Sequence, residues 1–369
     1  MNPRCSKNLT VALSVGALAL GAFAPRATGQ VASQSVAPIG VSAGPGVTPQ
    51  SASTPIRLQP SGTNLFQVLA ASFGQVRVDA LRTWTDYTPK KPVEVVERLR
   101  VSPVKGFLLE LVALREQGSS SLSNELQMVS LLYPQNIGYC YFFRDFRVHD
   151  AARAQQNYDV LPMGTLSRSG RSYSIFDIRP RHTGRCSYRI LVDDATGLAL
   201  DRVEFDGSGR VTSTLFYEPA ATKLGGAAES GLQAVKEYWK PWMIVRDFST
   251  VSAAEATLSF KPRIPSVLDT GFGLSSIRTT RTDSLSEPFL VLVYDNGVAT
   301  RIVAQSKVGP TDKWPLDFGA KSAGDVPVFQ YRLGPHAQFL ARYAGIQYLM
   351  VGSFPDARVI PPMLDELLR

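Results

Sequence analysis

The chain has 369 residues, 44% of them hydrophobic and 19% charged, with 39 basic against 31 acidic residues and a formal net charge of +8. That excess is too mild to point to nucleic acid. The three cysteines and three histidines lie far apart in sequence, which excludes zinc-ligand spacing.

The first element is an export signal. Arg4 and Lys7 precede an apolar run, Val11–Ala24, and the small residues Ala27, Thr28 and Gly29 offer cleavage before Gln30. The run is too short to span a bilayer comfortably, no stop-transfer pattern follows it, and no later stretch is long and apolar enough to cross a membrane. Cys5 precedes the run, which is the wrong side for a lipidated cysteine. Removing residues 1–29 takes away three basic residues and no acidic ones, leaving 36 against 31 and a net charge of +5. About 340 residues then make up the mature chain, a length that fits two domains.

From Ala27 to Ile56 there is no charged residue, and the composition predicts a flexible leader over 30–63. Leu65, Leu69 and Phe73 recur at helical spacing and predict an opening helix over Leu65–Leu81. Val93–Leu99, Gly106–Ala113, Leu126–Tyr133 and the aromatic run Gly138–Phe146 read as strands, with a helix around Asp150–Tyr158. The stretch 172–217 is the clearest. Ser172–Arg179 is a strand, and Cys186, Tyr188, Ile190 and Val192 alternate on one face of the next. The turns Asp193–Gly197 and Asp206–Gly209 separate Leu198–Phe205 and Val211–Tyr217. Together these predict an antiparallel meander.

Residues 221–250 read as a small-residue linker with a short helix at Gly231–Trp242. A second domain is predicted over 251–369. It holds a hairpin, Phe289–Tyr294 with Val298–Ala304, closed by an Asn-Gly turn. A strand at Gln347–Gly352 and a helix at Pro355–Leu368 end the chain. The first domain is assigned to 64–220.

No catalytic motif is present: no G-x-S-x-G, no phosphate-binding Gly-rich loop with its lysine, no H-E-x-x-H and no C-x-x-C. The pair Asp193-Asp194 sits in a predicted turn, where aspartates bond the local backbone. Cys140 and Cys186 are the two cysteines of the mature chain. An oxidising compartment is compatible with a bridge between them or with two buried thiols. Arg168, Arg171, Arg179, Arg181, Arg185 and Arg189 fall within 22 residues against a single acid, Asp177. Arg171, Arg179, Arg185 and Arg189 are the candidates for a rim that meets an anionic ligand or partner; the alternative is a solvated sheet face. A twisted sheet with aromatic strands can also close as a half-barrel around an acyl-sized cavity, with an ordinary core as the alternative.

Four segments resemble the RseB/MucB family of periplasmic regulators of sigma-E. Val192-Asp-Asp-Ala-Thr-Gly-Leu198, followed by Asp206-Gly, is similar to that family's strand-turn-strand, and also to outer-membrane lipoprotein carriers of the LolA type. Ile264–Leu274 resembles its Pro-x-x-Leu-Pro-x-Gly-Phe segment, with Asp269 standing where the family has the second proline. Leu292–Ala299 resembles its Tyr-Ser-Asp-Gly-Leu-Ala hairpin, and Leu349–Pro355 its closing Val-Val-Gly-Glu-Leu-Pro. The likeness covers roughly 165–369.

The resemblance implies an α+β fold: a LolA/LppX-like antiparallel half-barrel with covering helices, then a smaller α+β domain. It implies a non-enzymatic periplasmic protein without cofactor or metal. Such a protein binds the periplasmic segment of a membrane anti-sigma factor, shields it from proteolysis and senses envelope lipid or lipopolysaccharide. It leaves homo-oligomerisation open. The alternatives are a stand-alone periplasmic lipid or lipoprotein carrier and an extracellular hydrolase.

Overall fold

Alternating sequence becomes two antiparallel sheets in the structure, a computed structural model. It describes residues 61–225 and 244–369, apart from 104–105, 124–125, 128–129, 131–132, 134–139, 142–143, 184, 267, 269–270, 282–286, 309–320, 334–335 and 355–359. The expected export signal, the expected leader up to residue 60 and the helix expected at Gly231–Trp242 lie outside the described residues.

Among the described residues the first sheet has nine strands. Helix α1 (Leu65–Ser72) leads into β1 (Arg77–Asp86), β2 (Val93–Ser102) and β3 (Gly106–Glu116). Helix α2 (Ala151–Asn157) leads into β4 (Tyr158–Arg168), β5 (Arg171–Pro180), β6 (Ser187–Asp193), β7 (Ala199–Phe205) and β8 (Val211–Tyr217). The strand order is β3-β2-β1-β8-β7-β6-β5-β4, and β9 (Lys223–Gly225) adds to β1. The sheet is open: β3 and β4 are its two ends and it does not close into a barrel.

The second sheet runs β10 (Ile244–Phe248), β11 (Gly273–Arg281), β12 (Phe289–Asp295), β13 (Thr300–Lys307), β17 (Ile346–Ser353), β16 (His336–Tyr343), β15 (Val326–Leu333), β14 (Lys321–Ala323). Short helices α3 (Val251–Glu255) and α4 (Pro362–Leu367) accompany it. Leu290, Leu292, Tyr294, Val303 and Met350 meet Met363, Leu364 and Leu367 of α4 in one core. Phe289, Val291, Ile302, Leu349 and Val351, the alternate residues of the same strands, form another. The architecture is α+β, dominated by antiparallel sheet.

The meander 172–217 and the Asn-Gly hairpin stand where the alternation puts them. Three expectations are corrected. The opening helix stops at Ser72, and the residues from Arg77 on are strand, with Val78, Ala80, Arg82 and Trp84 facing inward. Phe73 continues the helical spacing, but Gly74 at φ +76° breaks it. In the stretches around 126–133 and 138–146 the described residues Leu126, Gln127, Tyr133, Cys140, Tyr141 and Arg144 are helical, not strand. Aromatic richness there serves packing, with the Tyr141 ring stacked on Phe107 at 3.9 Å. Among the described residues the closing helix spans Pro362–Leu367 of its expected range, and 355–359 lie outside the described residues.

The span expected as a linker supplies β9 to the first sheet and β10 to the second. Strand β4 has no counterpart in the sequence reading. It turns into β5 through Ser169 and Gly170, both at positive φ, the primed turn that matches strand twist. Serine replaces the usual Asn or Asp there, which hides the signal.

The two sheets meet through α2. Gly297, at φ +97°, brings the β12–β13 turn so close to α2 that a Cβ would run into the backbone N and Cα of Ala154. Replacing Gly297 with Ala should therefore destabilise the protein by at least about 2 kcal/mol, combining left-handed strain with a backbone clash. Urea unfolding would check this, and a loss below about 0.5 kcal/mol would mean that the contact yields freely.

Candidate functional site

The interior of the first sheet is built around charge. The β1 alternation that points Val78, Ala80 and Trp84 inward also points Arg82 inward, fully buried. Register then decides its partners. Glu97 on β2 and Tyr217 on β8 stand directly opposite Arg82, so three polar side chains form one row across three strands. Arg82 Nε donates to Glu97 Oε2 at 2.9 Å, and Arg82 Nη1 donates to the Tyr217 hydroxyl at 3.2 Å and to Asp145 Oδ1 at 2.5 Å.

The helical segment before α2 closes the row from above. Tyr133 and Arg144 both donate to Glu97 Oε1. The Arg144 guanidinium also lies 4.6 Å from the centre of the Trp84 ring, and its Nη2 donates to Cys140 Sγ at 3.1 Å. From β7, Arg202 donates to the Arg144 carbonyl at 2.6 Å and to Ser213 Oγ at 2.9 Å, and Ser213 donates to Glu204 at 3.0 Å. Arg82, Arg144 and Arg202 balance Glu97, Asp145 and Glu204. Burial works against the Glu97 carboxylate, yet Arg144 and Arg82 outweigh it and hold its pKa below the usual carboxylate range. At Asp145 burial wins over Arg82 and the pKa rises. Burial pushes the Cys140 thiol up to about 11, which makes it inert as a nucleophile.

Among the described residues, Trp84, Leu99, Phe107, Tyr133 and Tyr141 pack with β1–β3 into one core.

The sequence-predicted residues are dispersed and engaged. Arg171 grips Asp193 with two bonds of 2.8 Å. Arg189 grips Asp177, and Arg179 reaches the same carboxylate at 3.5 Å. Arg168 faces Asp201 at 3.6 Å and Arg181 faces Asp159 at 3.0 Å. Arg185 instead lies over the Phe272 ring of the second sheet at 4.9 Å. Apart from Asp177, the acids that answer the cluster lie outside the span 168–189, so a count along that span found only Asp177. Arg171 and Arg179 lie eight residues apart on one strand, about 26 Å, and form no common rim. Asp194 accepts from Ser172 and Ser174 at 2.7 Å, so the paired aspartates hold their turn.

Cys140 and Cys186 are not bridged. Cys140 belongs to the core under β1–β3, whereas Cys186 packs against the core of α1, Phe146 and β5–β7. Among the described residues, no group of three His, Cys, Asp or Glu is placed to hold a metal, and no helix is long and apolar enough to cross a membrane.

The second polar constellation is the seam between the sheets. Asp150 caps α2 by accepting from the Arg153 N–H at 2.9 Å. Arg153 donates to the carbonyls of Gly273 and Asp295 and pairs with the Asp295 carboxylate at 3.2 Å. Asn157 Nδ2 donates to the carbonyls of Gly271 and Asn296, and Asn296 Nδ2 donates to the Tyr158 hydroxyl at 2.9 Å. Val298 joins the core of α1 and β5–β7. Arg301 lies between the Phe272 and Phe354 rings, at 4.5 and 4.7 Å.

No protein-family model and no curated protein sequence matches the chain. Among solved structures it is similar to MucB of Pseudomonas aeruginosa in a MucA/MucB complex. That match has 18% identity, covers 83% of this chain and 95% of that one, and gives a TM-score of 0.43. It is also similar to MucB in complex with MucA(peri), at 16% identity, 83% and 96% coverage and a TM-score of 0.43. A further crystal structure of MucB gives 18% identity, 79% and 92% coverage and a TM-score of 0.40.

The buried row generates a stability prediction. Glu97→Gln leaves Arg82 and Arg144 without their shared charge and should cost about 3–5 kcal/mol in urea unfolding. Arg181→Ala, which removes an exposed pair, should cost no more than about 1 kcal/mol. Equal costs for the two variants would show that the buried row is not special.

Proposed function

We propose that this protein is a non-enzymatic periplasmic regulator of the RseB/MucB kind, with two domains, that binds the periplasmic segment of a membrane anti-sigma factor. The observation that carries this reading is where the resembling segments fall. Val192–Leu198 forms the β6–β7 turn, against which α1 packs: Ser72 Oγ donates to the Gly197 carbonyl at 2.8 Å. Two of the other three segments reach the seam. Gly271 and Phe272 receive Asn157 and Arg185. Asp295, Asn296 and Gly297 receive Arg153, Asn157 and His149. The last segment packs within its own domain, where Phe354 holds Arg301 of β13. Segments 264–274 and 292–299, far apart in the chain, thus supply one contact surface to the first sheet. Resemblance confined to a single strand-turn-strand would fit a stand-alone carrier; resemblance that assembles the joint between two sheets fits a two-domain regulator better.

In this reading the export signal delivers the chain to the periplasm, and the partner supplies the membrane anchor. A peptide that touches both sheets near the seam would be gripped by the side chains of two rigid elements at once. Sensing of envelope lipid or of stress through sigma-E belongs to the same proposal.

The test is direct binding. The mature chain should capture, with micromolar or tighter affinity, the periplasmic segment of the single-pass anti-sigma protein encoded beside an extracytoplasmic sigma factor in the same genome. Asn157→Ala should weaken capture about tenfold or more while leaving the far-ultraviolet circular dichroism unchanged. No binding at micromolar concentrations of the properly folded chain would end this reading.

A further inference from the structure

Asn296 is the one asparagine of the chain that a glycine follows. In an open chain such a pair reacts with itself. The Gly297 nitrogen attacks Asn296 Cγ, the new N–Cγ bond closes a succinimide ring, and the Cγ–Nδ2 bond breaks with release of ammonia. Water then opens the ring and leaves aspartate or isoaspartate. Glycine favours the reaction because it has no side chain to restrict the approach. In a folded protein the rate depends on whether the nitrogen can turn onto Cγ at all.

Here each group that would have to turn is held. The peptide between 296 and 297 is tied at both ends: its carbonyl accepts from Asn157 Nδ2 at 3.1 Å, and its N–H donates to Asp295 Oδ1 at 3.0 Å. The side-chain amide is tied as well. Asn296 Oδ1 accepts from the N–H groups of Val298 and Ala299 at 3.2 and 2.8 Å, and Nδ2 donates to the Tyr158 hydroxyl at 2.9 Å. Asn296 is only 1% exposed, which keeps bulk water from the reacting atoms. The bonds to Asp295, Val298 and Ala299 lie within the turn and would survive in an isolated hairpin. Those to Asn157 and Tyr158 cross from the second sheet to α2 and β4, and so does the pairing of Asp295 with Arg153 at 3.2 Å.

We propose that Asn296-Gly297 is a latent deamidation site that the seam keeps closed, so that a parting of the two sheets is recorded as a permanent change at residue 296. Each sheet has cores of its own, so the seam can part while the sheets stay folded. The rate of conversion is then that of the open turn multiplied by the fraction of time the turn is open. The change also opposes reclosure. Isoaspartate carries the main chain through Cβ and lengthens a turn that already lies against the Ala154 backbone at Gly297. It displaces the Gly297 carbonyl, which accepts from the His149 and Asp150 N–H groups at 2.8 and 3.4 Å. Aspartate at 296 sets a second carboxylate beside Asp295 and removes the Nδ2 donor.

The test follows residue 296 of the full mature chain by peptide mass spectrometry during incubation at about pH 8 and about 37 °C, folded or in guanidinium chloride. The folded wild-type chain should deamidate at least about tenfold more slowly than the unfolded one. Tyr158→Phe and Asn157→Ala each remove one tie across the seam, and each should speed deamidation several-fold while the circular dichroism stays native. Folded wild-type chain that reacts as fast as the unfolded chain, or faster, would make Asp295 a base rather than a lock and overturn the proposal. Unchanged rates in both variants would overturn it too, by assigning the protection to the turn alone. If Asn157→Ala proves unfolded, Tyr158→Phe decides. The isoaspartate form, separated by ion exchange, should show several-fold faster hydrogen exchange over 146–157 than the unaged chain; equal exchange would show that the joint recloses and that nothing permanent is recorded.

Discussion

The shared carboxylate of Glu97 is the constraint on which the first sheet depends. It is fully buried and receives Arg82, Arg144 and Tyr133. A charge in that position is costly unless every partner is in place. The arrangement therefore works as a register lock. Sliding β2 by one residue against β1 would send Glu97 to the outer face and leave two guanidiniums stranded inside. Apolar neighbours such as Val95 and Leu99 tolerate small displacements; a row of ion pairs across β2, β1 and β8 does not.

The same row is joined to the seam by one continuous stretch of chain. Arg144 and Asp145 belong to the buried ion pairs, Phe146 and Val148 sit in the core of α1 and β5–β7, His149 bonds Gly297, and α2 grips the turns of the second sheet. No long flexible connection intervenes between Arg144 and Asn157. The two sheets are consequently coupled by side-chain chemistry at both ends of a short segment as well as by the chain that runs from β9 to β10. In a protein proposed to answer a partner, such a segment can pass a local change on one sheet to the other.

The legible parts were local. Strands β5–β8 and the β12–β13 hairpin follow from alternation and from Gly-, Asp- and Asn-rich turns. The helix α2 falls within the range expected for it, and its cap at Asp150 is a local signal that the sequence reading did not use. The errors have identifiable causes. Phe73 extended a helical period past the glycine that ends it. Tyr139, Tyr141, Phe142 and Phe143 carry high strand propensity, but the described member, Tyr141, lies in a helix packed on Phe107. The buried row left a trace that went unread: Val78-x-Ala80-x-Arg82-x-Trp84 and Val93-x-Val95-x-Glu97-x-Leu99 each carry one charge at an inward position. Two opposite charges at the inward parity of adjacent strands are a usable signal for a buried pair.

By itself the sequence determined the class of the fold, the position of most strands in the meander and hairpin, and the resemblance that links four distant segments. Periodicity and turn chemistry are properties of a few neighbouring residues, so they survive without the rest of the molecule. Only the tertiary structure decided that the six arginines are matched by acids, most of them from other strands, or by an aromatic ring, that Cys140 and Cys186 lie in different cores, and that the segments 264–274 and 292–299 form one surface. Those outcomes depend on which strands become neighbours and in what register. That choice is settled by burying charges and side chains from across the whole chain at once.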